Sequence, residues 1–84
     1  MKTYYQVCVI FSLSHGKPIL ENLSLHSTSV YFPFLLMSHN TPLSYSRFFQ
    51  KVSEAENYIN YLFSRHPNSK AKRPVLDASQ LILI

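Results

Sequence analysis

The chain has 84 residues, eight Lys and Arg against four Asp and Glu for a formal net charge of +4, and is 46% hydrophobic but only 14% charged. That length supports one hydrophobic core and so one domain, 1–84, since two cores would each bury too little apolar surface to offset chain entropy. A single cysteine excludes a disulfide-stapled scaffold, and neither apolar run, 7–13 nor 30–37, approaches the roughly 20 residues of a membrane-spanning helix.

The segment 3–13 is rich in β-branched and aromatic residues and predicts a strand. Its odd positions, Tyr5, Val7, Val9, Phe11 and Leu13, are all apolar, whereas the even positions mix Gln6 and Ser12 with Cys8 and Ile10. His15 and Gly16 predict a tight turn, since Gly accepts positive φ freely and His tolerates it. After Pro18, the alternation of Ile19, Glu21, Leu23 and Leu25 with Leu20, Asn22, Ser24 and His26 predicts a second, antiparallel strand over 19–26.

Ser27, Thr28 and Ser29 read as a polar break, and 30–37 as a third strand placed at an edge or bulge by Pro33. A loop over 38–44 follows, then a short strand or helix lead-in over 47–52. Ser53 and Glu56 have the spacing of a capping box. Ala55, Tyr58, Ile59, Leu62 and Phe63 then recur on one face, predicting an amphipathic helix over 54–65 that ends before Pro67. A basic linker, 67–74, leads to a closing strand or docked arm over 75–84.

These elements predict an α+β domain: a small antiparallel sheet of three to five strands with one amphipathic helix packed on one face. A lone helix leaves the other face partly bare. Tyr4, Cys8 and Ile10 are therefore expected to meet a second copy or a protein partner there, Tyr in particular offering apolar area and a hydroxyl at low entropy cost.

Charge supplies the alternative. Outside 65–73 the basic and acidic residues balance, four against four, so the net charge resides in Arg65, Lys70, Lys72 and Arg73, the candidate contacts for an anion or nucleic acid. The aromatic residues do not form a base-stacking signature, because the chain has a single Gly; Arg47, Phe48, Phe49 and Lys51 come nearest to one. His15, His26, His39 and His66 lack the spacing of a local metal clip, and Cys8 has no cationic neighbour in sequence to activate its thiol. No phosphate-binding glycine loop or nucleophile elbow is present. The expectation is a non-catalytic interaction or regulatory module without cofactor or metal, self-associating or binding a protein. Lys2 and the apolar run 7–13 lack a following cleavage site, which places the expected location in the cytoplasm.

Overall fold

The computed structural model describes residues 1–33, 36 and 40–82, with side chains described up to residue 76. Its elements are β1 (Lys2–Ser14), β2 (Lys17–Val30), β3 (Ser44–Phe49), α1 (Val52–Arg65) and β4 (Leu76–Ile82). The sheet order is β3-β1-β2-β4. β1 pairs antiparallel with both β2 and β3, and β4 adds to β2 in parallel. The α+β class, the antiparallel three-stranded unit and the single packed helix are as the sequence predicts.

The hairpin between β1 and β2 is tight because its two loop residues accept the left-handed region. Ser14 pairs with Lys17, leaving only His15 at φ 52° and Gly16 at φ 77° between the strands. Two consecutive positive φ values define the primed turn whose twist matches a hairpin. A turn of fixed length fixes the register next to it, so Leu13 falls opposite Pro18 and Phe11 opposite Leu20.

Register then slips by one. Ile10 pairs with Asn22 but Phe11 pairs with Leu20, which leaves Glu21 as the extra residue of a β-bulge. Glu21 and Asn22 are both exposed and Leu20 is fully buried. This corrects the simple alternation expected over 19–26, which grouped Ile19, not Leu20, with Leu23 and Leu25. Leucine at 20 and isoleucine at 19 satisfy either phase; only the bulge decides which of them enters the core.

β2 also runs past the expected polar break. Ser27 and Thr28 are buried, and Val30 ends the strand almost fully enclosed. Short hydroxyl side chains are compatible with a ladder, and pairing to β1 and β4 on both sides satisfies the backbone here. The third strand expected over 30–37 is accordingly absent among its described residues. Beyond Val30, residues 31–33 and Leu36 lie outside the sheet, and the Leu36 amide donates to the Pro33 carbonyl at 3.0 Å. Phe34, Leu35 and Met37 lie outside the described residues, as do Ser38, His39, Leu83 and Ile84.

The helix follows its predicted stripe. Ala55, Ile59 and Leu62 are buried, and Tyr58 and Phe63 pack beside them against Val7, Val9, Leu20, Leu23 and Leu25. Its start differs from expectation: the N-cap is Lys51, with no side-chain cap hydrogen bond, and Ser53 lies exposed inside the first turn. The Lys51 carbonyl accepts from the Glu54 and Ala55 amides at 3.2 and 3.3 Å, so the helix begins two residues before the capping-box spacing placed it. β3 ends at Phe49, so only Gln50 and Lys51 connect the strand to the helix. The C-terminus meets the prediction, with Arg65 in the last turn and the His66 amide donating to the Leu62 carbonyl at 3.0 Å.

Candidate functional site: an open sheet face and a basic end

Strand alternation sorts the sheet's side chains into two sets. The helix covers Tyr5, Val7, Val9 and Phe11 of β1 with Tyr45 and Phe49 of β3. The opposite face carries Tyr4, Cys8 and Ile10, the three residues singled out on β1, with Gln6 between the first two. Cys8 lies between Ser24 of β2 and Ser46 of β3, and Ile10 between Asn22 and Ser44. Tyr4 and Cys8 are half-buried and Ile10 is 42% exposed.

The structure thus brings the three together, in a setting richer in hydroxyls than their own identities suggest. From Tyr4 to Ile10, Asn22 to His26 and Ser44 to Phe48, this face presents no Asp, Glu, Lys or Arg among the described residues, and opposite Tyr4 it is closed, Thr28 being only 2% exposed. Arg47 belongs to the other face, where its guanidinium stands over Tyr58 at 4.9 Å and Phe49 at 5.8 Å from the ring centroids. The pair Phe48 and Phe49 is split: Phe49 packs under the helix and Phe48 faces the open side, so they form no joint stacking platform.

A polar pair lies within the covered layer. Tyr45 of β3 and Tyr58 of α1 share a short hydrogen bond between their hydroxyls. Burial, then the bond to Tyr58 and that neighbouring phenol, push the Tyr45 hydroxyl above its ordinary range, while Arg47 acts in the opposite sense. Tyr58 stacks on Tyr61, and the Arg65 guanidinium stands 6.0 Å from the Tyr61 ring.

Two of the basic residues meet at the hairpin end of the molecule. Arg65 lines a cavity of about 240 Å³ between the β1–β2 turn and the helix exit, with Lys17, His66 and Asn68. The segment after the helix is docked, not free: the Lys70 amide donates to the Leu20 carbonyl at 2.9 Å and Ala71 packs against the core. Lys70, Lys72 and Arg73 are exposed along this stretch. Lys17, which the charge count along the chain sets against the acidic residues, therefore joins Arg65 in space. Nothing within its own segment announces this, because the partner residues are about fifty positions away.

Cys8 is a free thiol on the open face. His15 occupies the turn, His26 lies on β2 and His66 contacts the Phe11 ring edge-on at 5.0 Å. No described helix is long and apolar enough to cross a membrane. Comparison with protein-family models, curated proteins and solved structures finds no match to this chain.

Proposed function

We propose that this chain is a small, non-catalytic interaction module that self-associates through the open face of its sheet. The observation that carries this reading is the surface of three adjacent strands around Tyr4, Cys8 and Ile10, free of Asp, Glu, Lys and Arg up to the Glu21 carboxylate that accepts from Ser12 beyond Ile10, in a protein whose net charge is +4. A two-fold dimer brings the same patch of each copy together, so any charge in it meets its own kind. An uncharged patch avoids that repulsion and leaves the cations on the outside. Tyr4 and Phe48 supply the aromatic area favoured at interfaces, and the serines supply hydrogen-bonding groups.

Sedimentation equilibrium up to high micromolar concentration tests the proposal, with Ile10→Lys as the companion variant. The wild-type chain is expected to dimerise and the variant to remain folded and monomeric. A strictly monomeric wild type with no co-purifying protein partner overturns it.

A second reading, nucleic-acid binding through Arg65, Lys70, Lys72 and Arg73, is favoured by Lys17 joining Arg65 in space. Neutralising Lys70, Lys72 and Arg73 together separates the two: salt-sensitive binding to generic DNA or RNA that vanishes in this variant supports the second, whereas self-association through the sheet is left intact.

A further inference from the structure

The cavity at the basic end has walls held in place by backbone bonds. On one side stands the hairpin, whose primed turn joins Ser14 to Lys17. The other wall is the helix exit, where the His66 amide donates to the Leu62 carbonyl and the Ser69 amide to the His66 carbonyl at 3.1 Å. The Lys70 amide then ties the exit to β2 through Leu20, itself part of the lining. A site assembled this way loses little conformational freedom when a ligand enters.

Its chemistry is one-sided. Lys17 and Arg65 bring two cations, and Ser14, His66 and Asn68 bring polar side chains able to donate, while no carboxylate lines the cavity among the described residues. The negative end of the α1 dipole lies nearby and opposes an anion. It amounts to about half an elementary charge, against two full cations, and two of the carbonyls that express it already accept amides. The balance favours negative charge.

Pro18, Ile19 and Pro67 add an apolar wall that a bare ion would leave uncovered. At about 240 Å³ the space falls just below the range of roughly 300 to 1,000 Å³ found for drug-sized ligands. A compact ligand fits; a length of polynucleotide does not. We propose that this cavity binds a small phosphate monoester carried on a ring-sized apolar or planar body, its phosphate held by Lys17 and Arg65 and its ring lying on Pro18, Ile19 and Pro67. The site is separate from the open sheet face, and its existence does not depend on dimerisation.

Phenyl phosphate is the direct probe, followed through the backbone amide resonances of the full chain, with inorganic phosphate and a single-stranded oligonucleotide as parallel arms. Saturable shifts centred on Ser14, Lys17, His66 and Asn68 are expected, with tighter binding of phenyl phosphate than of inorganic phosphate. Loss of one charge-assisted hydrogen bond is worth tenfold or more in affinity, so Lys17→Gln and Arg65→Gln should each weaken binding at least about tenfold. Lys72→Gln, outside the lining, should change it less than about twofold. Unchanged far-ultraviolet circular dichroism establishes that each variant is folded. Absence of saturable shifts, equal affinity for both phosphates, or insensitivity to the Lys17 and Arg65 changes overturns the proposal. So does binding of the oligonucleotide alone, which would make the basic end a nucleic-acid surface.

Discussion

The two faces of this one sheet are built from the same strands, residue by residue in alternation, yet they differ in kind. Under the helix, Val7, Val9, Leu20, Leu23 and Leu25 are almost wholly withdrawn from water and meet Ala55, Ile59 and Leu62. On the other side Tyr4, Gln6, Cys8, Ser24 and Ser46 remain half-covered and Ile10 is exposed. Apolar burial contributes roughly 25 cal/mol per Å², so the covered face carries the larger part of folding stability. The open face is relieved of that role. Its hydroxyl-rich, uncharged composition suits contact with another surface.

The largest expected effect tests that division directly. Leu20→Ala and Ile59→Ala should each destabilise the fold by about 2–5 kcal/mol, whereas Cys8→Ala on the open face should stay within about 1 kcal/mol. Urea denaturation measures all three. A mild Leu20→Ala would mean that the bulge at Glu21 does not turn this leucine inward; a Cys8→Ala loss as large as that of Ile59→Ala would erase the difference between the faces.

The separation of faces depends on register, and register depends on the turn. Gly16 has open space where a Cβ would go, so Gly16→Ala meets no steric obstacle and suffers only the backbone penalty at φ 77°. That penalty is about 1–2 kcal/mol, visible as a lower urea midpoint at unchanged slope. A neutral result would show that the hairpin tolerates another turn.

The helix start offers a smaller and opposite effect. Lys51 occupies the N-cap without capping, so Lys51→Asp adds an acceptor for an orphan amide and a negative charge at the positive end of the dipole. Thermal unfolding should register a gain of about 0.5–1 kcal/mol. Ser53→Ala, by contrast, should change stability by less than about 0.5 kcal/mol, as expected of an exposed residue away from a cap. If the serine change proves costly and the lysine change neutral, the helix begins at the capping box after all.

These cases divide what is legible in the amino-acid sequence from what is not. The odd positions of β1 from Tyr5 to Phe11, the His15–Gly16 turn and the stripe on α1 each follow from one local rule with no competitor, and each is present, whereas Leu13, the last of the odd positions, is 60% exposed. The rest requires a contact between distant segments. Leu20 and Ile19 are equally good core residues until a bulge selects one; Ser27 and Thr28 look like a break until strands on either side bury them. Ser53 and Glu56 match a capping box, but the helix starts earlier, with Lys51 at its N-cap. At the candidate sites, the shared face of Tyr4, Cys8 and Ile10 follows from period-two alternation alone, whereas Lys17 reaches Arg65 only through the tertiary fold.

The smallest effect concerns the polar pair inside the covered layer and is confined to alkaline solution. The Tyr45 hydroxyl, partly buried between sheet and helix and bonded to Tyr58, holds its proton more tightly in the folded protein than a free phenol does. An unfolded tyrosine ionises near pH 10. The stabilisation linked to the neutral phenol is therefore fully present below about pH 10 and is lost as the pH rises further, because the unfolded chain releases a proton that the folded one retains. The informative quantity is a difference: stability of the wild type against that of Tyr45→Phe, each measured by urea unfolding at successive pH values. Between neutrality and about pH 9 the two curves should run parallel, and above about pH 10 the wild type should fall more steeply. Curves that stay parallel throughout would place the Tyr45–Tyr58 pair in contact with water, and the helix-covered face would then be less sealed at its β3 edge than its aliphatic centre.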